Sequence, residues 1–300
     1  MTLDELISIV QENKRWIFCS AIGAFMLSGV FVVTQPDIYR AELLMSPADQ
    51  AFGSNTDSGL GGQFGAVAAV AGISVTNSST DPKDIAIATL SSRRFIADFL
   101  RSRNLLVPFF AGRQNLISGE VYLDRNIYDP STDTWLLIIG NQDAAGPSVG
   151  YLHEEFTNRL NVFEDAATGT IRVSFDWIDR VQASSWLNWL IEDLNRQMKE
   201  QALREARESI SFLQSAAENT AYTEMRTVYF NLLEFEMQKL MLADIREEYA
   251  FNVLDPAIIP DSRQSPNRLL IVLVVTVLAT FFSILAIVYI RVNFDSKHST

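Results

Sequence analysis

Phe251-Asn-Val-Leu-Asp-Pro-Ala-Ile-Ile-Pro-Asp261, then Ser262-Arg-Gln-Ser-Pro-Asn-Arg268, then the uncharged run Leu269–Ile290, is the stretch that decides how this chain is built. The uncharged run is about 22 residues long, and a helix needs about 20 apolar residues to cross a bilayer core. Pro256, Pro260 and Pro266 precede it. Each proline fixes its own φ, lacks a backbone donor and pushes the residue before it toward extended geometry. The stretch predicts a short strand at Phe251–Leu254, a stiff extended connector, and a membrane helix over 268–290. The three prolines are the candidate membrane-proximal functional motif.

A second apolar run, Trp16–Thr34, is about 19 residues without a charge, just long enough to span. Lys14 and Arg15 precede it, as in a signal peptide. A signal core is shorter, however, roughly 7–15 residues, and ends at a small-residue cleavage site. This run is longer, has the acidic leader Asp4, Glu5 and Glu12, and ends in Val-Val-Thr-Gln-Pro. It reads as an uncleaved transmembrane helix over 16–34. Two spans leave tails of 1–15 and 291–300 on one side and a domain of 35–267 on the other. Lys14, Arg15, Arg291 and Lys297 favour cytoplasmic tails, against Arg268 and, weakly, Arg40. In a bacterium the expected location is the inner membrane, with the domain in the periplasm. Small residues recur at helical spacing in both spans: Ser20, Ala24 and Ser28 in the first, Thr276, Ala279, Thr280 and Ser283 in the second. Such faces let membrane helices approach closely, so these are candidate packing residues.

The net charge of −12 argues against nucleic-acid binding, which depends on clustered Lys and Arg. A single cysteine, Cys19, rules out an intramolecular disulfide, and with only two histidines, His153 and His298, no His-rich zinc site is expected. No cofactor or metal is predicted. His153-Glu154-Glu155 lacks zinc-protease spacing, because position 157 is Thr.

After the first span, Ile38–Met45 is extended in character and should lie beside Phe251–Leu254. Gln50–Thr80 begins rich in Gly, Ser and Asn and continues as the Gly/Ala-rich Phe64–Ile73. No Lys follows its glycines, which excludes a phosphate-binding loop. Two readings stay open there: a flexible loop with a small-residue helix, or an adaptable apolar element touching a lipid-linked partner. Asp81-Pro82 opens a helix through Arg103, with Ile85, Ala88, Leu90, Phe95, Phe99 and Leu100 as its core face. Leu105–Phe110 is expected to be extended, Gly112–Gly150 irregular, Ser148–Leu160 helical, and Thr170–Asp176 a half-buried strand.

From Thr170 to Asp255 there is neither Gly nor Pro. Asp179–Tyr249 reads as helix throughout, on the order of 100 Å if continuous. Leu187, Ile191, Leu194, Met198, Ala202, Ala206, Ile210, Leu213 and Ala217 form one narrow stripe. Glu192 with Arg196 and Glu200 with Arg204 form i,i+4 pairs on the opposite face. Asn219-Thr220 is the expected weak point, where the helix bends and reverses. Beyond it Tyr229, Leu233, Phe235, Met237, Leu240 and Met241 lie on two apolar faces, which need two partners. They are the candidate oligomer interface. The fold class is α+β: a small mixed sheet with its helices as base (35–176 and 251–260), a very long helical arm (about 179–249), and two flanking transmembrane helices.

This order resembles the Wzz family of polysaccharide co-polymerases. The resemblance is carried by Tyr39-Arg40-Ala41-Glu42-Leu43, the Gly/Ala-rich Phe64–Ile73, Glu224-Met225-Arg226, Met241-Leu242-Ala243, Tyr249-Ala250-Phe251, Asp255-Pro256-Ala257, Pro260 and Ser265-Pro266. It covers essentially the whole chain. It implies a kinase-free member, since the sequence carries no Walker motif. It further implies a ring-like homo-oligomer that sets surface-polysaccharide chain length, such as that of lipopolysaccharide O-antigen. The implied partners are a Wzy-type polymerase, lipid-linked or nascent polysaccharide, and the bilayer; the implied role is scaffolding without covalent chemistry. The alternatives are a two-span sensor, a capsule or exopolysaccharide export co-polymerase, and, least supported by motif, a membrane-anchored glycan hydrolase.

Overall fold

The computed structural model describes residues 13–48, 82–115, 119–136 and 146–298. Most of the N-terminal tail (1–12) and the stretch 50–80, with its Gly/Ala-rich part, fall outside the described residues. In chain order the described elements are α1 (Lys14–Val33), β1 (Tyr39–Pro47), α2 (Pro82–Leu90), α3 (Arg93–Ser102), α4 (Leu106–Ala111), β2 (Gly112–Gln114), β3 (Val121–Leu123), β4 (Tyr128–Asp129) and β5 (Thr134–Trp135). They continue with α5 (Val149–Thr157), β6 (Leu160–Asp165), β7 (Thr170–Trp177), α6 (Arg180–Asn219), α7 (Thr223–Ile245), β8 (Phe251–Asp255) and α8 (Arg268–His298). Two compact units result: one of Met1–Tyr39, Arg113–Tyr122 and Asp261–Thr300, the other of Arg40–Gly112 and Leu123–Pro260.

The larger unit is built on a four-stranded sheet of order β6-β7-β1-β8. β6 and β7 are antiparallel, from Leu160 opposite Phe175 to Asp165 opposite Thr170. Their turn closes with Gly169 at φ 68°, where a side chain would be strained. Asp165 accepts the Ala167 N–H at 2.9 Å, and this bond holds its carboxyl below the usual range. β8 pairs antiparallel with β1, Met45 opposite Val253 and Pro47 opposite Phe251, as the sequence predicts. Ile171, Val173 and Phe175 are buried as expected, but Ser174 on the opposite side is buried too, so the strand is more covered than a half-buried one.

Four local expectations are corrected. The helix expected from Asp81 to Arg103 is two helices, because Ser92 caps a new start by accepting the Phe95 N–H at 3.2 Å. Ile85 and Ala88 consequently lie off the core, and Ala86, Leu90, Phe95, Ile96, Phe99 and Leu100 form the buried face. Leu106–Ala111 is a short helix rather than extended chain. Asn104 adopts φ 56° and terminates α3, with Leu105 N–H bonded back to Leu100 O at 2.8 Å. This left-handed cap reverses the chain, and Pro108 falls in the first turn, where its missing N–H costs nothing. Finally, α5 stops at Thr157 and the chain becomes β6.

The core is aromatic. Phe109 stacks on Trp177 with centroids 4.9 Å apart. Trp177 and Trp186 centroids are also 4.9 Å apart, and Phe156 and Phe175 are 5.1 Å apart. The Arg159 guanidinium lies over Phe109 at 5.0 Å, a cation–π contact that closes the cluster.

The 40-residue α6 starts on Asp179, whose carboxylate accepts the Val181 and Gln182 N–H groups at 2.8 Å each. At 1.5 Å per residue it is about 60 Å long. Its first third is buried broadly, by Ala183, Trp186, Leu187, Leu190, Ile191 and Leu194. Beyond that, burial narrows to Ala202, Ala206, Leu213 and Ala217, the predicted stripe. The helix ends at Asn219, at the predicted weak point, and α7 returns along it. The Glu200–Arg204 pair forms at 3.7 Å. Glu192 and Arg196 do not pair with each other: Arg196 joins Asp193, and Glu192 joins Arg103.

Candidate functional site

Within the smaller unit, the two segments that flank the apolar helices are joined. Ile38 N–H donates to Ser265 O at 2.8 Å, and Gln264 N–H donates to Ile38 O at 2.8 Å. Asp37 accepts from Arg268 at 3.0 Å and lies 3.5 Å from Arg263. Its own N–H donates to Gln114 Oε1 at 2.9 Å. One carboxylate thus holds two guanidiniums where α1 ends and α8 begins. α1 over Arg15–Val33 and α8 over Arg268–Tyr289 are each long and apolar enough to cross a membrane.

The two helices pack on each other through small residues. Ile17, Ser20, Ala24, Ser28 and Val32 of α1 are shielded, while Phe18, Phe25, Leu27 and Phe31 point outward. On α8 the shielded positions include Val272, Thr276, Ala279, Thr280, Ser283 and Ile287. The candidate packing residues of both helices therefore lie on the inward stripes. Ser20 Oγ reaches Ser283 Oγ at 3.0 Å, the one side-chain hydrogen bond between the helices among the described residues. Ser28 Oγ donates to Phe25 O, Thr276 to Val272 O and Thr280 to Thr276 O, which satisfies these hydroxyls within their own helices.

The prolines are divided. Pro256 and Pro260 end the larger unit, and Pro266 belongs to the smaller one, following a cis peptide bond from Ser265. Ala257, between the first two, is buried and bonded to Asn188 through both its N–H and its C=O, each at 2.9 Å.

On α7, Phe235, Met237 and Met241 are 55%, 45% and 61% exposed, and Tyr229 and Leu240 are half-buried. Leu233, by contrast, is buried inside the hairpin and is not a surface contact. The exposed set extends to Met225, Phe230, Leu242 and Ile245. A groove between the two arms of the hairpin is lined by Ile210, Met237, Leu240 and Met241 together with Arg207, Ser211 and Gln214.

Sequence reading missed the side chains that hold the arm's root. Asn195 accepts from Ala250 and Phe251 N–H and donates to Phe251 O, all at 2.9 Å, while 4% exposed. Asp193, 5% exposed, takes a forked contact from Arg103 at 2.6 and 3.1 Å. That bond holds the Arg103 guanidinium more firmly protonated than usual. The available signal was polar residues flush with an apolar stripe: Asn188 and Asn195 directly follow Leu187 and Leu194, both buried.

His153 Nε2 is 2.9 Å from the Ser91 carbonyl, a structural contact at the end of α2. No cluster of His, Cys, Asp and Glu suited to a metal occurs among the described residues.

No protein-family model and no curated protein matches the sequence. Among solved structures, the chain is similar to a full-length bacterial polysaccharide co-polymerase, over 98% of this chain and 99% of that one, with 10% identity and a TM-score of 0.42. A fragment of WzzB, polysaccharide co-polymerase from Salmonella Typhimurium, matches over 77% of this chain and 100% of that one, at 11% identity and a TM-score of 0.32. A proline-substituted mutant of the Shigella flexneri lipopolysaccharide O-antigen chain-length regulator matches over 76% and 100%, at 9% identity and a TM-score of 0.25. At these scores the likeness carries no functional weight of its own.

Proposed function

We propose that this chain is a kinase-free polysaccharide co-polymerase: an inner-membrane homo-oligomer, with its domain in the periplasm, that sets the modal length of lipopolysaccharide O-antigen or a related surface polysaccharide by acting on a Wzy-type polymerase. The observation that carries this reading is a rigidly rooted helical hairpin with an uncovered apolar face, inserted in the sequence between two apolar helices that pack together. A scaffold that works by assembly needs such a face. The order of the sequence motifs supports the same reading. The candidate interface is Phe235, Met237, Leu240, Met241 and Tyr229.

Deleting the gene is expected to leave surface glycan made but with an unregulated length distribution on a gel. Loss of all polymer, or an unchanged distribution, would overturn the reading. Met237→Asp with Leu240→Asp places two charges on the apolar face, and burying an unpaired carboxylate in an interface is costly enough to weaken assembly by at least about tenfold. Light scattering of detergent-purified protein should then move from a large particle toward the monomer. A wild type that is already monomeric would refute the assembly argument.

A further inference from the structure

The smaller unit carries an open groove of about 910 Å³ beside the start of α8. Its rim is Arg263, Asn267 and Arg268. Its trough is Val272, Leu273 and Val277 of α8, with Phe25 contributed by α1. By helix rise, Leu273 and Val277 lie about 8 and 14 Å further along α8 than Arg268. The groove is thus polar at one end and mostly apolar along the rest, where the Thr276 hydroxyl is bonded back to Val272 O of its own helix.

We propose that this groove binds an anionic phospholipid, with the headgroup phosphate at Arg263 and Arg268 and one hydrocarbon chain in the trough. The charge at the rim points to the phosphate. Two guanidiniums share the single carboxylate of Asp37, which leaves one net positive charge there, and the Arg268 side chain stays 33% exposed. A phosphate oxygen is the acceptor that matches a guanidinium in charge and geometry. The apolar trough selects against a free anion, because phosphate alone leaves it unfilled. The surplus charge selects a net-negative headgroup over a zwitterionic one. The inference rests on α1 and α8 crossing a bilayer and is independent of chain-length control.

The full chain in mild detergent, titrated with phosphatidylglycerol or phosphatidylcholine and read by native mass spectrometry, tests this. Phosphatidylglycerol should be retained roughly fivefold better, the scale of one basic charge at an anionic lipid surface. Arg263→Gln with Arg268→Gln should abolish the preference. Leu273→Trp fills the trough with the charges intact and should expel the bound lipid. Millimolar inorganic phosphate should leave it in place. Equal retention of the two lipids, a preference that survives the arginine changes, a lipid retained by Leu273→Trp, or displacement by inorganic phosphate would each overturn the proposal. If the double arginine variant fails to fold, the Leu273→Trp result decides.

Discussion

Replacing Asn195 by Leu should destabilise the larger unit by about 3–5 kcal/mol, because three buried hydrogen bonds are lost and each is worth about 1 kcal/mol or more. The side chain is 4% exposed and spans from α6 to the backbone of Ala250 and Phe251, so water has no access to substitute for it. A domain of this kind has only about 5–15 kcal/mol to lose, and Tm should fall on the order of 10 °C. Leu keeps the branched shape of Asn, which separates loss of hydrogen bonding from opening of a cavity. Asn188→Ala, with two bonds at a half-buried position, should cost less, about 1–2 kcal/mol. Calorimetry on the two variants gives the ordering. An Asn195→Leu protein within about 1 kcal/mol of wild type would show that these bonds add little to the hold on β8 from its pairing with β1 and the burial of Phe251.

Asp193→Ala is expected to be nearly as damaging, by about 2–3 kcal/mol, which is below the roughly 3–5 kcal/mol for stranding a fully buried charge. Two features moderate it: the Arg103 side chain is 25% exposed, and Glu192 already contacts Arg103 at 3.0 Å. The sign is tested by repair. Arg103→Met with Asp193→Leu removes both charges and should recover most of the loss, since an apolar pair of similar volume is often as stable as a buried ion pair. If the double variant is no better than Asp193→Ala in denaturant unfolding, the damage comes from Arg196 or from packing against Trp189, over which Arg103 lies at 5.4 Å.

Large-scale periodicity was the legible part of this chain. The two apolar runs, the stripe from Leu187 to Ala217, the reversal at Asn219-Thr220 and the pairing of the strands next to the spans all follow from spacing of apolar residues, and the structure contains each of them. Local breaks were less legible because they depend on single atoms. Ser92 ends one helix and begins another through one hydroxyl. Asn104 does so through one φ angle. The helix at Leu106–Ala111 was hidden because its composition, apolar with a proline, suits a strand as well as a first helical turn. The polar roots of the arm were missed for a related reason. Asp193 and Asn195 look like solvated helix residues until the elements that cover them are known, and the strand over Asn195 arrives 56 residues later in the chain. On α7 the exposed apolar faces were readable, but which residue the hairpin keeps for itself was not. Leu233 is consumed by packing against α6, a choice made by hairpin geometry rather than by residue type.

The pair Asn188 and Asn195 has a mechanical consequence. Two turns apart on one side of α6, they grip the returning backbone at Ala257 and at Ala250–Phe251. Axial sliding of α6 by one residue's rise, about 1.5 Å, would stretch every one of these bonds together. The helix therefore cannot act as a piston against β8. Bending remains available only beyond the grip, where the alanine stripe of α6 carries the load with α7, so a force applied at the tip acts on its root as torque on a clamped beam.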